Sequence, residues 1–267
     1  MPLRTINGAK LWIEDTGTGA ETIVFAHGLL WSGRMFAPQF EALRDRYRCV
    51  TLDFRGQGKS EVAASGYDMD TLAADAKVLI EDIGPPVHFV GLSMGGFVGM
   101  RLAARHPALL RTLTLLATAG DAEPKAGIPK YRAMAFISRI WMRPLLGSVM
   151  KIMFGDAFLA DASRRDRRRE LEQVLLGLDK VGMTRALEGV ITRAAVEDEL
   201  PRISIPTLVL AGEDDHAVVP ERQRRTAGRI PGAELRMIPR AGHTSTLEEP
   251  AAIVAALTEF LAKHRPA

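Results

Sequence analysis

The sequence predicts an α/β protein whose mostly parallel sheet is covered by helices on both faces. Three observations carry that expectation. Short, nearly all-apolar runs alternate with segments of helical periodicity, as strands buried on both faces require. One such run meets a helix through Gly91-Leu92-Ser93-Met94-Gly95, a G-x-S-x-G turn. The strand-like runs number eight, and residues 121–200, after the sixth, contain none.

Residues 3–6 and 11–14 read as two strands joined through Asn7-Gly8, a hairpin signal. Residues 22–26 form a third apolar run ending at His27-Gly28. Residues 48–53 form a fourth, ending at Arg55-Gly56-Gln57-Gly58. Helical spacing over 71–83 stops at Gly84-Pro85-Pro86. The strand 87–90, the Ser93 turn and a helix over 97–105 follow, and then a buried strand at 112–117. The rhythm returns with strands at 207–211 and 234–238 and helices at 220–229 and 249–263. The expected division is a core of residues 1–120 and 201–267 with a helical cap of residues 121–200. That cap is rich in Met and aromatic side chains, among them Trp141 and Met142. Most of these would pack a core, but an insertion here would also roof the C-terminal edge of the sheet, where ligands of such folds bind.

Composition narrows the function classes. With 47% apolar and 25% charged residues the chain is an ordinary globular one. A formal charge of +3, from 35 basic and 32 acidic residues, is too small an excess to argue for nucleic acid. The arginines of 164–169 stand beside Asp161, Asp166 and Glu170 and read as a solvated helix face. Cys49 is the sole cysteine, so neither an intramolecular disulfide nor a zinc–thiolate cluster is possible. The N-terminus has no apolar signal region and no run is long enough to span a membrane, so the expectation is a cytoplasmic protein without membrane contact. No metal or cofactor motif is present. Gly58-Lys59-Ser60 mimics the end of a P-loop, but the position needing the first glycine holds Asp53. Asp53 and Arg55 are expected to brace their loop instead.

The chemistry centres on Ser93. A G-x-S-x-G turn between strand and helix is a nucleophile elbow, with the serine in a strained conformation and flanking residues that must lack Cβ. The same turn aims the Met94 N–H, at a helix N-terminus, where an oxyanion would form. A serine hydroxyl needs a base. Of six histidines, His27 and His88 lie at or in strands, His106 ends a helix, His216 follows two aspartates and His264 is in the tail. His243, in the Ala241-Gly242-His243-Thr244 loop after the last strand, is the expected base. Its acid is expected in Gly212-Glu213-Asp214-Asp215, just after a strand. Asp215 is preferred and Asp214 is the alternative.

With these residues in place the chain resembles the α/β-hydrolase superfamily over essentially its whole length. The matching motifs are HGLL at 27–30, DFRGQGKS at 53–60, GLSMGG at 91–96, GEDD at 212–215 and GHTSTLEEP at 242–250. The order Ser93, Asp215, His243 is that of the family's triads. The resemblance implies a second oxyanion donor at the Leu29 N–H, and carboxylesterases and 3-oxoadipate enol-lactonases are the most similar types. It further implies a small-molecule ester or lactone substrate cleaved through an acyl-enzyme. Cofactor-free haloperoxidases or perhydrolases and C–C bond hydrolases share the fold, and so do non-catalytic ligand binders. Thr244 stands where the C–C hydrolases usually carry Trp. Leu30, Trp31, Met94, Trp141 and Met142 are the expected pocket residues. Oligomeric state is not legible in the sequence.

Overall fold

The computed structural model describes residues 2–265. The first hairpin is β1 (Leu3–Ile6) and β2 (Ala9–Asp15), turned by Asn7 and Gly8, both at positive φ. β3 (Thr22–Ala26) is followed by helix α1 (Ala37–Leu43) and β4 (Arg48–Leu52). Helix α2 (Met69–Ile83) starts at Asp68, whose carboxylate accepts the Thr71 N–H at 2.8 Å. Then come β5 (Val87–Leu92), α3 (Met94–Arg105) and β6 (Leu110–Leu116).

Five helices follow without a strand between them: α4 (Ile128–Ile140), α5 (Leu146–Met153), α6 (Asp156–Ala160), α7 (Arg165–Leu176) and α8 (Lys180–Ile191). The chain then returns through β7 (Thr207–Gly212), α9 (Pro220–Arg229), β8 (Glu234–Ile238), the short α10 (Ser245–Glu248) and α11 (Pro250–Lys263). The eight strands form one sheet in the order β1-β2-β4-β3-β5-β6-β7-β8, parallel from β4 to β8 and antiparallel only at β1 and β2. The helical expectations at 71–83 and 97–105 are extended by two and three residues at their N-termini, and α1 and α10 carried too short a pattern to be foreseen.

Alternation along the central strands divides the core into two layers. Val24, Ala26, Phe89 and Val209 pack with α2 and α3 on one face. Ile23, Phe25, Val90 and Leu208 pack with Leu43, Leu257 and Phe260 on the other. This second layer continues into the inserted helices through Met150, Phe154 and Phe158, and Phe154 stacks on Phe158 with centroids 4.9 Å apart. Cys49 is buried in the same layer, and burial pushes its thiol up to about 12, leaving it protonated and inert.

Polar ties fasten the insertion to loops of the rest of the molecule. Arg164 bonds the Glu249 carboxylate at 3.0 Å, Arg185 donates to the Ala63 carbonyl at 2.7 Å, and Thr244 Oγ1 donates to the Met153 carbonyl at 2.8 Å. The arginine run at 164–169 is therefore not wholly a solvated face. Arg168 also turns inward, onto the Phe158 carbonyl, while Arg167 and Arg169 pair with acids of their own helix. No helix among the described residues is long and apolar enough to cross a membrane. Among the described residues, no cluster of three or more His, Cys, Asp or Glu side chains is placed to hold a metal ion.

Two buried histidines make stability depend on pH. His27 accepts the Phe54 N–H at its Nε2 (2.9 Å), so its proton resides on Nδ1, which donates to the Gly28 carbonyl at 2.7 Å. Burial pulls the pKa values of His27 and His88 below the ordinary histidine range. The unfolded chain then binds protons that the folded chain refuses. The stabilisation is full above about pH 6.5 and is lost as pH falls below it. Glu248, pushed up by burial, acts in the opposite sense but is one group against two. We expect Tm to be level from about pH 8 to 7 and to drop between about pH 6.5 and 5.5. A Tm that rises on acidification over that window contradicts this account.

Candidate active site

Ser93 stands between β5 and α3 with φ 52° and ψ −107°, a conformation L-residues rarely adopt. The surroundings leave the chain no other route. A Cβ on Gly91 would come within 2.4 Å of the Gly95 carbonyl oxygen, and one on Gly95 within 2.0 Å of the Ala26 carbonyl oxygen. The strand, the turn and the helix therefore meet backbone to backbone, which only glycine permits. The turn is pinned by Ser93 N–H to the Leu116 carbonyl (2.8 Å) and Gly95 N–H to the His27 carbonyl (3.1 Å). Thr118 Oγ1 caps it by donating to the Ser93 carbonyl at 3.0 Å.

The loop after β3 faces this elbow. Leu30 takes φ 72°, and its N–H donates to Gln57 Oε1 at 2.9 Å. Gln57 in turn reaches the Met94 sulfur with its Nε2 at 3.8 Å. The loop after β4 that supplies Gln57 is held from two sides. Asp53 accepts the amides of Gly33 (2.7 Å) and Lys59 (2.9 Å), and Arg55 makes a buried two-point pair with Asp75 (2.6 and 2.7 Å). Asp53 and Arg55 thus brace the loop through different partners, and Lys59 sits over the Trp12 ring, 4.1 Å from its centroid. Among the described residues the amides of Leu29 and Met94 have no hydrogen-bond acceptor, whereas those of Leu30, Trp31 and Gly95 do.

Asp215 follows β7. Its Oδ1 accepts the Ala217 N–H (2.9 Å) and the Val218 N–H (2.8 Å), and its Oδ2 accepts Gln223 Nε2 at 3.0 Å. These bonds turn the carboxylate toward the loop after β8, where His243 Nδ1 lies 3.1 and 3.0 Å from its two oxygens. An Nδ1–H donated to that carboxylate leaves Nε2 free to accept a proton. Asp214 bonds elsewhere, through its N–H to the Ala241 carbonyl at 2.9 Å, and its side chain packs beside Gly155.

The His243 loop has its own buried anchor. Glu248 Oε2 accepts the amides of Gly242 (3.0 Å) and Gly155 (2.9 Å), and its Oε1 accepts the Thr244 N–H at 3.0 Å and shares the Thr244 hydroxyl proton, also at 3.0 Å, with the Met153 carbonyl. One carboxylate therefore links the loop carrying His243 to the inserted helices.

Ser93 and His243, 7% and 4% exposed, line the same cavity of about 80 Å³, roofed by Tyr131, Ile152, Met153 and Leu187 from the inserted helices. A second cavity of about 100 Å³ shares Leu29, Tyr131, Ile152, Met153 and Leu187 with it and is wholly apolar. Leu30 and Met142 line that second space. The other expected pocket residues lie elsewhere. Trp141 is 61% exposed, because α4 ends with Ile140 and Trp141 directed at solvent. Trp31 is buried edge-on against Phe154, at 5.9 Å, and faces a surface groove with Arg34 and Arg44. The Met94 side chain is fully buried beneath the elbow. Sequence reasoning did not single out Gln57, Glu123, Tyr131, Arg193 or Glu248. Gln57 and Glu248 lay inside quoted motifs, but Glu123, Tyr131 and Arg193 had no local signal.

A model described as "Alpha/beta hydrolase family" matches residues 23–256. A relative from Caulobacter sp. (strain K31) that carries the name carbamate hydrolase RutD is 32% identical over 250 residues, covering 90% of each chain. One from Mycobacterium tuberculosis carrying the name non-heme bromoperoxidase BpoC is 30% identical over 264 residues, 95% of this chain and 98% of the relative. Among solved structures, the enol-lactonase from Burkholderia xenovorans LB400 superposes with a TM-score of 0.88 at 29% identity, covering 98% of this chain and all of that one.

Proposed function

The chain belongs to the alpha/beta hydrolase family, and we propose that it is a serine hydrolase of small carboxylic esters or lactones. Ser93 Oγ attacks the carbonyl carbon while His243 Nε2 takes the hydroxyl proton. Asp215 holds the imidazole through Nδ1 and stabilises the cation that forms. The Leu29 and Met94 amides receive the oxyanion. His243 then gives its proton to the departing alkoxide, leaving an acyl-Ser93 ester. Water, deprotonated by the same Nε2, attacks that ester and releases the acid and the free serine. In this reading residues 121–200 act as a cap that keeps bulk water out of the acyl site.

One observation carries the proposal. The Asp215 carboxylate lies against His243 Nδ1, and His243 lines the same cavity as a serine in a strained strand–helix elbow. The enol-lactonase likeness supports an ester or lactone carbonyl as the target. A cavity of about 80 Å³, with an apolar annex, supports a short substrate. A second reading draws on the bromoperoxidase-named relative. There hydrogen peroxide replaces water as the second nucleophile, so that the acyl-enzyme yields a peracid, which oxidises halide.

A panel of methyl esters and simple lactones, followed by acid release, tests the proposal. We expect turnover of short members without any added cofactor, exceeding carboxylate-dependent bromination with peroxide. Bromination faster than hydrolysis across the whole panel favours the second reading, and no turnover of any ester or lactone contradicts both.

A further inference from the structure

The cavity holding Ser93 and His243 also contains a buried charge that the proposed acyl transfer does not use. Arg193 lines it, just past the end of α8, with its side chain 1% exposed. Its Nη1 donates to Glu123 Oε2 at 3.0 Å and to the Val190 carbonyl at 2.8 Å. One face of the guanidinium lies over the Phe97 ring, 4.1 Å from its centroid. Nε and Nη2 are different: both are buried and neither has an acceptor among the described residues. Those two atoms form one edge of the guanidinium, with parallel N–H bonds spaced to match the two oxygens of a carboxylate.

An unpaired buried donor is costly, and an unpaired charged one more so. The cavity also holds the side chains of Ser93, Glu123, Tyr131 and His243, none of which bonds Nε or Nη2, and its apolar walls of Ile152, Met153, Leu187 and Val190 raise the strength of any ion pair made there. Glu123 binds only Nη1 and leaves the second edge buried without an acceptor among the described residues. Within the serine-hydrolase reading, on which this inference rests, the free edge faces the problem of recognising something delivered with the ester. We propose that the Nε–Nη2 edge of Arg193 is a carboxylate subsite, so that the ester or lactone cleaved at Ser93 carries a second, free carboxylate.

The test compares monomethyl succinate, glutarate and adipate with methyl butanoate, pentanoate and hexanoate, and O-butanoyl glycolate with ethyl butanoate. These pairs place a carboxylate on the acyl or the alcohol side. A two-point charged contact is expected to raise kcat/KM for at least one carboxylated ester by on the order of tenfold or more, chiefly through KM. Arg193→Met, which keeps the stem, removes that preference, and Arg193→Lys, which keeps charge without the fork, restores only part of it. Circular dichroism checks that both variants fold, and if neither does, the wild-type ratios decide.

Labelling of Ser93 by a fluorophosphonate separates the two claims. A labelled enzyme that prefers no carboxylated ester overturns the subsite and leaves the hydrolase reading intact. If Ser93 is not labelled, the hydrolase reading falls, and calorimetry with glutarate decides the subsite alone. Binding that is lost in Arg193→Met supports it, and no binding overturns it.

Discussion

Replacing Ser93 by alanine is expected to lower kcat on the best ester by on the order of 10⁶, because triad members act as a unit and the loss of any nucleophile disables all of it. The change is small in every other respect. The Ser93 side chain makes no hydrogen bond that holds the elbow; the turn is pinned by its backbone and by Thr118. Alanine also accepts the positive φ no worse than serine does. The variant should therefore fold with a Tm close to that of the parent, and substrate affinity measured by binding should change little. Retention of more than about a hundredth of the activity would show that the hydrolysis does not pass through Ser93. The neighbouring glycines behave differently. They support the same turn through space rather than chemistry, since a Cβ at Gly95 collides with the Ala26 carbonyl.

The second large effect is expected at Asp215. Asparagine is nearly isosteric, so Asp215→Asn keeps an oxygen for the Ala217 and Val218 amides while presenting an amide where a carboxylate faced His243 Nδ1. The imidazole then loses the partner that fixes its tautomer and stabilises its charge, and kcat is expected to fall by on the order of 10⁴. Asp214→Asn serves as the control. Its carboxylate makes no hydrogen bond with His243, whose Nδ1 bonds Asp215, and the main-chain bond from its N–H to the Ala241 carbonyl survives the change. We expect its kcat to stay within about threefold of the parent, as for a residue outside the triad. Equal losses in the two variants would mean that the loop conformation, rather than the Asp215 carboxylate, supports the base.

The pair Asp214 and Asp215 shows where sequence reasoning stops. Both follow a strand at its C-terminal end, and within Gly212-Glu213-Asp214-Asp215 only the spacing from Gly212 favours Asp215. The distinction arises two residues later, when the Ala217 and Val218 amides fold back onto Asp215 and orient it. The strands, the elbow and the chain order of the three candidates were legible, because local apolar runs and glycine spacing encode them. The segment between β6 and β7 was legible as helical, but not in which side chains it buries. Methionine and aromatic content cannot say that Phe154 and Phe158 turn inward while Phe136 and Trp141 turn to solvent. Arg193 was invisible for a related reason. Its neighbours Phe97, Glu123 and Val190 come from an α3 turn, a loop and α8, and only the assembled fold gathers them around one guanidinium. Glu248 lay within a motif that pointed to the histidine, yet its four donors span Gly155 to Thr244 and no spacing rule foretells them.

The proposed hydrolysis stands or falls with Ser93 as a nucleophile activated by His243. Mass spectrometry of the protein after brief exposure to a fluorophosphonate tests it most directly. One adduct per chain is expected, located on the peptide containing Gly91-Leu92-Ser93-Met94-Gly95. Adduct formation is expected to slow sharply in His243→Ala while the variant remains folded. A folded wild-type protein that gains no adduct, or gains it at a residue other than Ser93, would contradict it.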